Sequence, residues 1–370
     1  MRIYLVTASV NKLSNLKHLL EFSRGKDHID KVVVIDEGED LLRKVNKEIL
    51  REHQVTFYGP KEREEWFKER FGLGYEKYAS VIPERCHAEI SFAYLVAYEE
   101  GADVVIEIDD DVRLMDGNDL VFDHVYNLED TIGVSISSSN KWYNTIENLS
   151  LSTNERLFPR GYPFKVRGVR ENHRYAADRG RCVLNMGLWI GCLDLDALTL
   201  VYNGALDGRL VFDGGSLKRR KVIINRGTYF PICSMNTSFR RDIIPAFYQL
   251  YMNFWGIDRF DDIWSGIFLK KIADHLGDKV CLGAPLVYHD KRPRNVFLDL
   301  SKEIKGIELN EVLWLIVDQL NLDGKNYPDA YASLIEGLKS KLDNIDERYR
   351  RFLSLQLNKM GIWSEIIDRL

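Results

Sequence analysis

Apolar and polar positions alternate in blocks along the first 110 or so residues. Ile3 to Ala8 is an apolar run that reads as a buried strand. Leu13 to Phe22 carries its apolar residues at helical spacing, and Lys31-Val32-Val33-Val34-Ile35 reads as a second strand, closed by Asp36-Glu37-Gly38. A helix is predicted from about Asp40 to His53 and a strand over Gln54 to Tyr58. Glu84 to Glu100 reads as an amphipathic helix with Ile90, Ala93, Tyr94 and Ala97 on one face, ended by Gly101. Ala102 to Ile108 is the next strand. Strands alternating with helices in this way predict a parallel α/β sheet.

The pattern then changes. Thr131 to Phe239 mixes short strands with loops rich in Gly and Arg, and long loops inside a compact domain tend to be functional. Ile243 to Trp255 and Ile263 to Leu276 read as helices, and Val280 to Val287 as a strand. Leu309 to Leu370 is mostly helical and charged, with Leu334, Leu338 and Leu342, then Leu353 and Leu357, at helical spacing. We therefore expect an α/β domain over residues 1–308 and a helical extension over 309–370. The extension either packs back on the sheet or forms an oligomer interface.

Composition narrows the field. The chain is 45% hydrophobic and 29% charged, with a net charge of -5. No basic excess argues for nucleic acid or an anionic membrane. Cys86, Cys182, Cys192, Cys233 and Cys281 are odd in number and form no CxxC, which disfavours a disulfide framework or structural zinc and fits a reducing, cytoplasmic setting. The chain opens directly on a strand, so no signal peptide is expected, and no apolar run approaches a membrane span. GxGxxG after the first strand, GxxxxGK[ST] and GxSxG are all missing, which disfavours dinucleotide, P-loop and nucleophile-elbow chemistry.

The chemistry concentrates at Asp109-Asp110-Asp111, just after Val104-Val105-Ile106. A buried strand delivers these carboxylates to a strand end, where open α/β sheets bind ligands. Adjacent carboxylates repel unless a cation sits among them. A hard divalent ion shared with sugar-nucleotide phosphates meets that need, as in the DxD motif of nucleotide-sugar transferases. A solvated acidic turn is the plainer reading of the same triplet.

Further segments follow in order: Tyr143-Asn144-Thr145, Arg160-Gly161-Tyr162-Pro163-Phe164, Arg167-Gly168-Val169, Gly187-Leu188-Trp189, Asp194-Leu195-Asp196-Ala197, Gly227-Thr228-Tyr229-Phe230-Pro231, Met235-Asn236, Arg259-Phe260-Asp261-Asp262-Ile263-Trp264-Ser265-Gly266, Asp274-His275-Leu276-Gly277, Tyr288-His289 and Lys305-Gly306-Ile307. With the triplet they resemble the reversibly glycosylated polypeptides, also called UDP-arabinopyranose mutases, over roughly residues 80–310. The resemblance implies a GT-A-like nucleotide-diphospho-sugar transferase fold, a UDP-sugar substrate and a divalent metal, Mn²⁺ or Mg²⁺. It also implies reversible self-glycosylation and interconversion of pyranose and furanose forms of a UDP-sugar. Transfer from a UDP-sugar to a separate acceptor is the alternative. Members of the family often work as oligomers.

Residue by residue, the resemblance makes Asp109 and Asp111 metal ligands, with Asp110 beside them on ribose or phosphate. His289 completes the metal site, or is a strand-end histidine. Asp261 and Asp262 offer a catalytic carboxylate, although one of them would also serve as a helix N-cap. Arg160 matches the arginine tied to reversible glycosylation. A guanidinium is a poor nucleophile but a good fork for a diphosphate, so clamping the leaving UDP is the competing role. Arg167 is expected as a second clamp, or as a surface salt bridge. Asp36 and Thr7, at strand ends, are candidates for base or ribose contacts, Asp36 equally for a turn. Arg85 is a weaker phosphate candidate. Trp189, Trp264 and Tyr162 stack on sugar or base, or belong to the core, and His275 is expected to be structural. Val112, the charged stretch Arg170 to Arg181 and Leu184-Asn185-Met186 depart from the family pattern where a sugar or acceptor would be chosen.

Overall fold

The structure, a computed structural model, describes residues 1–169 and 172–370. The strands are β1 (Ile3–Ser9), β2 (Ile29–Asp36), β3 (Val55–Tyr58), β4 (Val104–Ile108), β5 (Val112–Leu114), β6 (Thr131–Ser138), β7 (Leu149–Leu151), β8 (His173–Gly180), β9 (Cys182–Cys192), β10 (Val211–Phe212), β11 (Gly215–Leu217), β12 (Lys221–Ile224), β13 (Asn236–Arg240) and β14 (Lys279–His289). The main sheet runs β3-β2-β1-β4-β13-β9-β14-β12-β6-β8, with β10 on β9 and β5 on β14, while β7 and β11 form a separate ribbon. The predicted amino-terminal alternation is present: β1 lies parallel to β2 and β4, and β2 parallel to β3. Such strands are covered on both faces, which is why Leu5-Val6 and Val33-Val34 are continuous apolar runs, all fully buried. β13 then enters antiparallel between β4 and β9. With its helical extension this is the α/β architecture expected.

Two predicted helices differ from the observed ones. Over Glu84 to Glu100 the chain makes a 3₁₀ turn at His87–Ile90 and an α-helix only from Ser91 to Glu99. Phe92 through Ala97 are all buried, because the helix is packed on the sheet on one side and on Arg241–Ala246 on the other. Its apolar residues therefore surround it rather than lining one face. Ile243 to Trp255 is not a helix. A 3₁₀ segment at Arg241–Ala246 contains Pro245, and Asn253 and Trp255 take positive φ, conformations that end helical propagation.

The extension packs back. Helices Val296–Gln319, Tyr327–Lys339 and Glu347–Ile367 share the core of the sheet domain. The expected boundary at 308/309 falls inside the first of them. Trp363, fully buried, stacks on Tyr248 at 5.1 Å between centroids and donates its indole N–H to the Ile244 carbonyl. Among the described residues no helix is long and apolar enough to cross a membrane.

Candidate active site

The acidic triplet follows β4. Asp109 N–H donates to the Met235 carbonyl at 3.0 Å, anchoring the turn on the segment entering β13. β5 begins immediately afterwards, and its Val112 pairs with His289 at the end of β14. That register brings Asp111 to His289, with Oδ2 and Nε2 3.5 Å apart. His289 Nδ1 donates to the Cys192 carbonyl at 2.7 Å, which fixes the ring and leaves Nε2 facing the carboxylate. Burial would raise the pKa of Asp111, but His289 holds it below the usual carboxylate value. Asp111 Oδ1 is buried without a partner. Asp110 points elsewhere and accepts from Ser9 Oγ at 2.6 Å and Asn11 Nδ2 at 3.0 Å; burial lifts its pKa to about 6.

Asp109 faces His87. The imidazole bridges two carboxylates, with Nε2 3.4 Å from Asp109 Oδ1 and Nδ1 3.0 Å from Asp261 Oδ2. Burial opposes its charge, yet Asp109 and Asp261 carry its pKa well above the ordinary value, so both ring nitrogens donate. Behind it Glu107 is buried, accepts from the Tyr94 hydroxyl, and is pushed up to about 8 by burial.

Asp261 and Asp262 open the helix Asp261–Leu276, where Phe260, not an aspartate, is the N-cap. First-turn carboxylates suit the positive end of the helix dipole. Both are buried, and their neighbours push them apart: burial raises Asp262, whereas for Asp261 the bond to His87 outweighs burial and lowers it. Arg160 meets this helix because Gly161 takes φ +86° and brings the loop against Ile263, where a Cβ would come within 2.6 Å of the side chain. The guanidinium is 8% exposed. Its Nε donates to Asp194 at 3.0 and 3.2 Å, Nη2 reaches Asp194 Oδ2 at 2.9 Å and Asp262 Oδ2 at 3.2 Å, and Nη1 reaches Asp262 Oδ1 at 3.2 Å and the Arg259 carbonyl. Four of the five N–H groups make hydrogen bonds, and the Nη2 approach to Asp194 is an ion pair. Burial opposes the charge, but Asp194 and Asp262 hold the pKa of Arg160 well above its ordinary value, and Arg160 with Arg259 holds Asp194 well below its own.

A cavity of about 510 Å³ unites these groups. It is lined by His87, Asp109, Asp111, Arg160, Asp194, Asp261, Asp262 and His289, with Cys233, Ser234 and Met235 along one side. Arg259, Lys291, Arg292 and Arg294 line it too. Arg259 is tied to Glu303, and Arg294 Nε lies 3.6 Å from Asp299. Lys291 Nζ is buried and has no hydrogen-bond partner among the described residues; burial, then Arg259 and Arg294, lower its pKa.

The structure thus gathers Arg160, Asp261, Asp262, Asp109, Asp111 and His289 into one cleft and leaves other expected residues outside it. Arg167, expected as a second clamp or a salt bridge, does not line the cleft. Its guanidinium binds Asp196 at 2.7 Å and the Tyr162 carbonyl at 3.0 Å, and stacks on Phe164, beside a separate cavity. Arg85 is exposed, with φ 52°, and does not line the cleft; only its backbone N–H is held, by Glu37. Asp36 makes the expected turn bond from Gly38 N–H at 2.8 Å, but its Oδ2 and the Thr7 hydroxyl are buried without partners at the ends of β2 and β1. Trp189, Trp264 and Tyr162 are core residues, and His275 is structural, donating to the Gly324 carbonyl at 2.9 Å. Among the described residues, the departures from the family pattern do not line the cleft. Val112 is buried in β5, and Asn185 is buried beneath the sheet against His124. His173–Gly180 forms the edge strand β8, and residues 170 and 171 lie outside the described residues. Sequence reasoning missed His87, Asp194, Glu107 and Lys291. The only signal for Lys291 is the short run Lys291-Arg292-Pro293-Arg294 directly after His289.

Among the described residues no group of three His, Cys, Asp or Glu side chains is gathered tightly enough to hold a metal alone. Asp109 is turned to His87 rather than joining Asp111 and His289. The Asp111–His289 pair still fits a divalent ion whose remaining ligands come from substrate: one oxygen without a partner, one oriented imidazole, and an open cavity in front.

A profile of the reversibly glycosylated polypeptides matches residues 76–367. The chain is 32% identical over 213 residues to the probable UDP-arabinopyranose mutase 2 of Solanum tuberosum, covering 56% of this chain and 54% of that one. It is 32% identical over 214 residues to UDP-arabinopyranose mutase 1 of Arabidopsis thaliana, covering 56% and 55%. The chain therefore spans about half the length of the curated relatives it matches. Among solved structures, it is similar to glucosyl-3-phosphoglycerate synthase from Mycobacterium tuberculosis, with 14% identity, 84% of this chain and 79% of that chain covered, and a TM-score of 0.41.

Proposed function

Because this chain belongs to the reversibly glycosylated polypeptide family, we propose that it is a UDP-sugar enzyme, a mutase that interconverts pyranose and furanose forms and glycosylates itself reversibly. The observation that carries this reading is the single cleft lined together by the Asp111–His289, Arg160–Asp262 and His87–Asp261 pairs.

Asp111 and His289 would hold the divalent ion, which when bound would offset the charge of a departing diphosphate. The chain's own groups do the rest. Cations lining the cleft receive phosphate oxygens. Asp261, held as a carboxylate by His87, faces the sugar and steadies the positive charge that develops as the bond to UDP lengthens. His87, held as a cation by Asp109 and Asp261, which also fix its orientation, can give a proton to a sugar oxygen. Arg160 is held fully protonated between two carboxylates, which supports a role in ordering Asp262 more than one as nucleophile.

The second reading, transfer to a separate acceptor, draws on the Asp261–His87 pair, which has the geometry of a general base for an incoming hydroxyl. The test is intact mass spectrometry after incubation with Mn²⁺ and UDP-arabinopyranose. A sugar-sized mass gain that reverses on adding excess UDP supports self-glycosylation. An unchanged mass, with a product formed only when an acceptor is supplied, favours the transferase.

A further inference from the structure

Lys291 presents a problem that the protein alone does not solve. Its side chain is 5% exposed, and Nζ is sealed from solvent without an acceptor. A buried ammonium without an acceptor loses hydration and gains nothing in return. Arg259 and Arg294 are positive neighbours and add to this cost, against the negative charge of Asp194. Asp194 is already committed to Arg160 through three contacts of 2.9 to 3.2 Å. Lys291 lines the same cavity as Asp111 and His289, so an anion entering there would meet it.

Arg160 would be the obvious anion receptor in the cleft. Its guanidinium is already committed to the protein: Asp194, Asp262 and the Arg259 carbonyl take four of its five N–H groups, and Nη2 also lies 2.9 Å from Asp194 Oδ2 as an ion pair. We infer that Lys291, not Arg160, is the residue that binds the diphosphate of the nucleotide sugar, with Arg294 beside it. This assignment rests on the UDP-sugar reading of the cleft. It makes Lys291 a binding residue whose missing partner is supplied by substrate, and Arg160 a positioning residue for Asp262.

Calorimetric titration with uridine, UMP and UDP in Mn²⁺ tests it on the wild-type chain, Lys291→Met and Lys291→Arg, each checked by thermal melt. Lys291→Met should bind UDP at least tenfold more weakly with uridine binding unchanged, and Lys291→Arg should recover most of the loss. If Lys291→Met does not fold, Lys291→Gln takes its place in the same comparison. A wild-type chain that prefers UDP to uridine, beside a folded Lys291→Met that binds UDP equally well, would overturn the assignment and leave the UDP-sugar reading standing. A wild-type chain with no affinity for UDP would overturn both.

Discussion

Arg160 and Asp262 meet as fork and carboxylate, with Nη1–Oδ1 and Nη2–Oδ2 both at 3.2 Å inside a buried pocket that also contains Asp194. Removing one member of such a group leaves the others charged and unpaired, which typically costs about 3–5 kcal/mol. Arg160→Ala should therefore lower stability by that order in urea melts as well as abolish turnover. Arg160→Lys keeps the charge but not the planar fork, and should melt closer to the wild type while remaining poorly active. Equal melts for all three chains would show that the ion group is not structural.

His87 joins Asp261 to Asp109. His87→Gln should lower kcat by about 10²-fold or more, the usual scale for losing a proton-transfer group, with a smaller change in KM. A rise in KM with kcat intact would instead place His87 in substrate binding alone.

Asp111→Asn and His289→Gln each remove one side of the pair proposed for a divalent ion. In equilibrium binding assays, Mn²⁺ should strengthen UDP binding to the wild type and do so far less in either variant. EDTA should bring the wild type down to the level of the variants. UDP affinity that is indifferent to Mn²⁺ in all three would remove the metal from the account.

His124, which does not line the cleft, supplies a separate pH signature. Its Nε2 donates to Asn236 Oδ1 and its Nδ1 accepts from Asn185 Nδ2, both at 2.9 Å, so the fold needs the neutral ring; burial lowers its pKa from 6.5 to about 3. The unfolded chain binds this proton first. The stability contributed is whole above pH 6.5 and is lost as pH falls towards 3, by an amount on the order of a few kcal/mol. In denaturant melts the stability difference between wild type and His124→Asn should therefore shrink between pH 7 and pH 4. A constant difference would mean that the ring does not titrate in this way.

Trp363 ties the carboxy-terminal helices to the sheet domain. Trp363→Ala should cost about 3–5 kcal/mol in a chemical melt, through lost burial and a cavity. It should also unfold both parts in one transition, because one core serves both. Two separate transitions in the wild type would restore the boundary expected at 308/309.

What could be read in advance follows physical lines. Parallel strands buried on both faces leave uninterrupted apolar runs, so β1, β2 and β4 were visible in the sequence. The acidic triplet was visible because three carboxylates at a strand end have few structural uses. His87 was not, because Glu84 to Glu100 reads as one helix and hides the 3₁₀ turn that aims the imidazole. Asp194 and Lys291 gain meaning only from pairings across the sheet that bring distant loops together. Arg167 was misplaced for the converse reason: its partner Asp196 reaches it through the folding of a separate loop.

The central claim is that this cleft isomerises a UDP-sugar unaided. Incubating the purified chain with Mn²⁺ and UDP-arabinopyranose, without acceptor, and separating the nucleotide sugars by chromatography tests it most directly. The account expects a second UDP-pentose peak, abolished by Asp261→Asn. Unaltered UDP-arabinopyranose from a chain that still binds UDP would contradict it.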